Sequence, residues 1–177
     1  LPIIDKGVDW IRLENGLELT NAAEIANKFA AADELILAVG TIGDGLEIAA
    51  AEMFKNKKAI KALALEEVAV AAVFEFTNAV FSCIDEFAET RELQASSPIY
   101  PGHGDFGIEQ QRTVFEIAGG DEIGMRILKT DMLFPAKSIS LVFGLGHDLP
   151  RWDRKKDCET CKARDRCRFR TPESLAA

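Results

Sequence analysis

The sequence predicts an α+β domain followed by a short Cys-rich C-terminal tail, and three observations carry that expectation. Residues 66–93 contain no Gly or Pro, and Val73, Phe76, Val80, Ile84 and Phe87 recur at 3–4 spacing, the period of one long amphipathic helix. Residues 34–39, 125–130 and 138–144 are short apolar or alternating runs of strand character. Clusters of Gly and Pro separate these segments, with no low-complexity linker before Pro150. The expected division is a domain over residues 1–150 and a tail over residues 151–177.

The elements follow in order. Asn21 with Glu24 has the form of a capping box, and an Ala-rich stretch follows it, predicting a helix over residues 21–32. The strand at residues 34–39 ends at Gly40, Gly43 and Gly45, before a helix over residues 46–56. Residues 61–65 read as a brief strand or a turn ahead of the long helix. Pro98, Pro101, Gly102, Gly104 and Gly107 make residues 96–107 a loop. A helix over residues 108–118 then stops at Gly119-Gly120, which suits the left-handed end of a helix. In the strand at residues 138–144, Ile139, Leu141 and Phe143 share one face.

The composition is that of one domain: 177 residues, 47% apolar and 28% charged, with a formal net charge of −8. A chain of this length buries about 70% of the surface its unfolded form exposes, so it needs no metal to acquire a core. The longest uncharged ordered stretch, residues 138–147, falls short of the length of a membrane span, and the first residues lack the basic start and apolar run of a signal peptide. The expectation is a cytoplasmic protein without membrane association. The charge is uneven. Residues 151–170 hold nine basic and four acidic side chains, a local +5 that leaves −13 for the rest. The acidic residues interspersed in that stretch and the acidic body argue against nucleic acid and favour docking on an acidic protein.

Cys158, Cys161 and Cys167 lie inside the basic stretch with the spacing Cys-x2-Cys-x5-Cys, which lets three thiolates converge on one metal or cluster. In a reducing compartment such a group is more often a ligand set than a disulfide pattern. A four-iron cluster takes four cysteines, and Cys83 is the candidate fourth within this chain. Zinc, with His147 or His103 as fourth ligand, is the alternative. The competing reading of Cys83, among Phe81, Ser82 and Ile84, is a core thiol. His103 in its Gly/Pro loop is either a ligand contact or a turn residue, while His147 reads as a turn. The Gly40-x-x-Gly43-x-Gly45 run lacks the spacing of a phosphate loop and reads as a tight turn. Ser138, His103 and Asp105 come without a nucleophile elbow, so a hydrolase is not expected.

Read in order, Ala38-Val39-Gly40-Thr41-Ile42-Gly43, Ala62-Leu63-Ala64-Leu65-Glu66-Glu67-Val68 and Tyr100-Pro101-Gly102-His103-Gly104-Asp105-Phe106 form a series. Gln110, Pro135-Ala136-Lys137-Ser138-Ile139-Ser140 and Phe143-Gly144-Leu145-Gly146 extend it. The series resembles the activation domain of cobalamin-dependent methionine synthase, in the stand-alone form found beside corrinoid methyltransferases. The Cys tail is similar to the Cys-rich end of those stand-alone proteins. The resemblance implies a C-shaped α+β domain around a twisted antiparallel sheet. It also implies a corrinoid-binding protein or methyltransferase as partner, which presents cobalamin to the domain. The implied activity is reductive repair, in which one electron and the methyl group of S-adenosylmethionine restore methylcobalamin from inactive Co(II).

On that resemblance Tyr100, Pro101, Gly102, His103, Gly104 and Asp105 face S-adenosylmethionine or the corrinoid, and Cys158, Cys161, Cys167 and Cys83 hold an iron–sulfur cluster. A cluster fits the redox step where zinc does not. One departure stands out. The family loop reads Arg-x-x-Pro-Gly-Tyr, whereas here Pro98 replaces the Arg and His103 the Tyr, and proline cannot pair with a carboxylate as a guanidinium does. The departure puts S-adenosylmethionine binding in question. It favours the alternative of a non-catalytic cap on a corrinoid protein, its tail stapled by zinc.

Overall fold

The computed structural model describes residues 1–20, 23–153, 158–159 and 164–167. The apolar alternation over residues 138–144 becomes β8 (Ser138–Gly146), and the rest of the fold is arranged around it. β8 pairs antiparallel with β4 (Glu34–Thr41) from Glu34 opposite Leu145 to Thr41 opposite Ser138. Its other edge takes β5 (Gln94–Ala95), the backbone and hydroxyl of Ser96 on Gly144, and an isolated bridge from Ile99 to Val142. The central sheet therefore runs β4-β8-β5. A second antiparallel sheet is formed by β1 (Ile3–Lys6), β2 (Ile11–Leu13) and β3 (Glu18–Leu19), and a two-stranded ribbon by β6 (Arg126–Ile127) and β7 (Leu133–Phe134). The fold class is α+β, with antiparallel sheets and flanking helices, as the sequence predicts.

Both faces of β8 are covered. The face of Ile139, Leu141, Phe143 and Leu145 packs on Phe81, Ile84 and Ala88 of α3 (Ala59–Thr90). On the other face Leu35 and Val142 join Ile25 of α1 (Ala23–Lys28), Phe29, Phe106, Val114 of α4 (Gln110–Ile117) and the inner residues of the small sheet, Ile11, Leu13 and Leu19. Each fully buried Leu, Ile or Phe contributes roughly 1.5–3 kcal/mol. Two glycines permit the close approach: a Cβ on Gly144 would lie 2.9 Å from the Phe29 ring, and one on Gly40 would lie 2.6 Å from the ring of Phe76.

α2 (Gly45–Lys55) and the first half of α3 form a helical hairpin through Ala50, Ala62 and Ala69, whose small side chains are almost completely buried. Residues 61–65, read from sequence as a strand or turn, are the second turn of α3. The reversal occurs earlier, where Lys57 takes a positive φ of 57°. The three strands of the N-terminal sheet were not expected. They are two to four residues long, and Lys6 ties β1 to the end of α1 by donating to the carbonyls of Phe29, Ala30 and Ala32. Burial holds the Lys6 ammonium below its usual pKa, opposed by the charge of Asp33. Asn21 of the expected capping box lies outside the described residues.

α3 is also long and apolar enough, by length and composition, to cross a membrane, which differs from the sequence expectation that no stretch qualifies. Only Glu75 interrupts residues 68–84 with a charge. The Gly40→Ala substitution is expected to push Phe76 off the sheet and lower urea stability by about 1–3 kcal/mol, with a smaller loss when Phe76→Leu is present in the same chain. Equal losses in the two backgrounds would show that the ring is not the cause.

Candidate functional site

β8 orders the segments that carry chemistry. Thr41 stands opposite Ser138 and Val39 opposite Ser140, while Ile99 bridges to Val142 from the other edge, so the chain leaves the sheet into the 100–105 loop opposite the middle of β8. The 41–43 turn and the 135–138 turn meet at the Ser138 end of the strand.

The first turn is held locally. Thr41 Oγ1 accepts the Gly43 N–H at 3.0 Å and donates to the Lys137 carbonyl, while the Ile42 N–H donates to the same carbonyl at 3.1 Å. The glycine run at residues 40–45 is therefore a tight turn built on a threonine, with Gly43 at a φ of 79°. The facing turn contains the cis bond Phe134–Pro135. In it Ser138 Oγ donates to the Pro135 carbonyl and Lys137 Nζ donates to Glu66 of α3 at 2.9 Å. Glu47 of α2 accepts the Ala136 N–H. Lys137 and Glu66, two residues of the motif series, thereby lock the base of the helical hairpin to the sheet.

The loop is anchored on both flanks and open between them. Ile99 and Phe106 are buried in the core, and the Gly102 N–H donates to the Phe106 carbonyl at 2.7 Å. His103 and Phe106 form a further bridge. Tyr100, Gly102, His103, Gly104 and Asp105 are exposed, and Pro101 is half-buried. Pro98 faces inward: it is buried and its carbonyl accepts from Lys28 Nζ. Behind the loop, Ser140 Oγ donates to Gln111 Oε1 at 2.6 Å, a buried bond that ties the start of α4 to β8. The adjacent Gln110 places Oε1 in the interior without a partner, its Nε2 donating to Thr20.

The cysteines are distributed differently. After β8 the chain reverses. Leu149 enters the core, Arg151 pairs with Glu89 at 3.2 Å, and the Trp152 ring meets that of Phe81 edge-on with centroids 4.7 Å apart. From Glu89 to Phe81 this path runs back along α3. Cys158 and Cys167 are both half-buried, and Cys161 lies outside the described residues. Cys83 is exposed, which corrects its reading as a core thiol. It sits two residues beyond Phe81, about 200° around the helix, and so faces away from the side on which Trp152 lands. Among the described residues no three His, Cys, Asp or Glu side chains are gathered as a metal would require. His147 is exposed in a turn after β8.

These residues test the implied groups. Against S-adenosylmethionine the loop offers an imidazole, a carboxylate and a phenol, with no guanidinium from position 98, so the partner the resemblance expects for a substrate carboxylate is missing. For a cluster, which takes four thiolates, the described thiols are those of Cys83, Cys158 and Cys167, with Cys83 on the exposed side of α3 and Cys161 outside the described residues.

A concavity of about 430 Å³ lies elsewhere, at the far end of β4, between Leu1, Leu37, Phe87 and Ile117. Its polar wall is already engaged: Arg91 donates both guanidinium arms to Glu34, at 2.8 and 2.6 Å. That hydrogen bonding, more than the accompanying charge attraction, holds the Glu34 carboxyl below its ordinary value of 4.5. The concavity lies beside Phe143–Leu145, which pair with its wall at Glu34–Ile36, and away from the two turns at the Ser138 end of β8.

No protein-family model matches the chain, and no curated protein does.

Two outcomes follow from this geometry. Ser140→Ala leaves the Gln111 amide oxygen buried without its donor and is expected to cost about 1–3 kcal/mol in urea unfolding. A group whose folded pKa is depressed contributes stability above its unfolded pKa and loses it as the pH falls through the folded value. Stability should therefore drop with acidification below pH 4.5 partly through Glu34, and Arg91→Gln should flatten that part of the profile.

Proposed function

We propose that this chain assists the reductive activation of a corrinoid carried by a methyltransferase partner, with the 100–105 loop as the surface turned toward the corrinoid. The observation that supports this reading is that several motif segments meet: the 41–43 turn, the 135–138 turn and Glu66 with Lys137 lie together at the Ser138 end of β8, and the loop follows Ile99, which bridges to Val142 of the same strand. Segments as far apart as Thr41 and Ser138 are brought together there, as a common ligand surface requires. His103 and Asp105 are the side chains there able to exchange a proton or accept a hydrogen bond from a ligand, and Tyr100 offers a phenol at its margin.

In this reading Cys158, Cys161 and Cys167 hold a redox cluster, which supplies single electrons when bound. Arg151 on Glu89 and Trp152 on Phe81 bring the chain just before the tail back along α3, over the face of the central sheet, which favours this assignment. The +5 charge of the tail suits docking on an acidic partner.

A second reading has a specific observation in its favour. Pro98 is turned into the core and cannot replace the guanidinium of the resembling loop, which fits a cap that covers a corrinoid protein without using S-adenosylmethionine, its tail stapled by zinc.

Calorimetry with S-adenosylmethionine separates the two. The activation reading predicts binding that His103→Ala and Asp105→Ala each weaken severalfold; absence of binding favours the cap. Protein purified without oxygen is expected to contain iron and broad visible absorbance, lost in Cys158→Ser and Cys167→Ser. Stoichiometric zinc and a colourless protein would contradict the redox assignment.

A further inference from the structure

We infer that the outer edge of β4 takes up an extended segment of a partner protein as a further antiparallel strand. In an antiparallel ladder the backbone groups of successive residues point to opposite edges. Leu35 exchanges both of its hydrogen bonds with Leu1 on the outer edge, so Leu37 and Val39 present their N–H and C=O there too, while Ile36 and Ala38 face β8. Among the described residues no group bonds to Leu37 or Val39 on that side. The edge also lacks the devices that keep an open strand from pairing. Residues 35–41 contain no charge and no proline, and their register with β8 runs without a bulge.

The beginning of this edge already holds an extended segment. The Ile3 N–H donates to the Asp33 carbonyl at 2.9 Å, Pro2 bridges antiparallel to Glu34, and Leu1 pairs with Leu35. Beyond Leu35 the line is unfilled, and the concavity of about 430 Å³ opens at that break. The backbone of residues 35–37 forms its floor, and Leu1 and Asn15 close one end. Phe87 of α3, 47% exposed, walls the side of Ile36, and Ile117 of α4 walls the side of Leu37. The charged pair in the lining, Glu34 with Arg91, is closed on itself.

These features name the occupant. Backbone donors and acceptors two residues apart require a strand that returns both bonds at every second residue. Its side chains then alternate between the Phe87 wall and the Ile117 wall, and apolar ones fit both. Helices on the two sides leave room for a single strand; a second copy would have to bring in the edge of its own sheet together with the α3 and α4 that flank it. From Ile36 to Thr41 the edge is about 17 Å long, enough for about six residues. The acidic body, −13 outside residues 151–170, favours basic side chains at the ends of the segment. The inference uses neither the 100–105 loop nor the Cys tail, so it stands apart from the corrinoid reading.

The probe is a set of capped peptides of about seven residues, with Val, Ile, Leu or Phe at alternate positions and Lys at both ends, titrated against the full chain. Binding is expected, and for the tightest peptide a scan of backbone N-methylation reads the geometry. Methyl groups at every second residue should weaken binding about tenfold or more, and those between should leave it unchanged. Phe87→Ala should weaken it severalfold with an unchanged circular dichroism spectrum. Amide exchange at Leu37 and Val39, fast in the free chain, should slow when the peptide binds. No binding by any peptide at about 1 mM, or N-methyl effects that do not alternate, would overturn the inference. Slow exchange at Leu37 and Val39 in the dilute free chain would assign the edge to another part of the same chain. Slow exchange only at high concentration, with a doubled mass in sedimentation, would assign it to a second copy; either result overturns the inference equally.

Discussion

The strand Ser138–Gly146 is paired along most of one backbone edge and along the second from Val142 onward, and must be covered on both faces, because Leu141, Val142, Phe143 and Leu145 point to opposite sides and all are buried. A strand in that position dictates what surrounds it. α3 covers one face, while α1, α4 and the N-terminal sheet cover the other. One edge is occupied by β4, the other by β5, Ser96 and Ile99. The chain leaves the second edge into the 100–105 loop because Ile99 and Phe106 are fixed in the core and the six residues between them have nowhere to go but outward. The candidate site is thus a consequence of how the central strand is completed.

The same constraint accounts for the polar groups that reach the interior. Ser140 is the polar residue in the strand's otherwise apolar interior run, and its hydroxyl meets Gln111 at the start of α4. Lys137, at the entry to the strand, meets Glu66 of α3. One buried hydrogen bond and one part-buried ion pair fix the two covering layers in register with β8. Both lie toward the Ser138 end of the strand, where the 41–43 and 135–138 turns meet.

What could be read from the sequence follows from how local each signal is. β8 and the sheet-facing half of α3 were legible because Ile139, Leu141 and Phe143, and Val80, Ile84 and Phe87, repeat with the period of their elements. The first turns of α3 were not, since Ala62 and Ala69 show their purpose only against α2 and the reversal rests on Lys57, a residue without a turn signature. β5 and β7 have two residues each, too few for any period, and their partners define them; of the strand expected over residues 125–130, Arg126–Ile127 forms as β6. The 96–107 loop was legible from its Gly and Pro content, but the inward turn of Pro98 was not. Cys83 was misread because its neighbours in sequence are apolar, whereas around the helix it stands apart from Phe81 and Ile84.

The central proposal is that the 41–43 turn, the 135–138 turn and the 100–105 loop form one ligand surface. Amide hydrogen exchange of the full chain, prepared without oxygen and compared with and without cob(II)alamin and S-adenosylmethionine, tests it most directly. The account predicts slowed exchange confined to residues 41–43, 100–106 and 135–138. Protection at the Glu34–Arg91 concavity instead, or none anywhere, would contradict it.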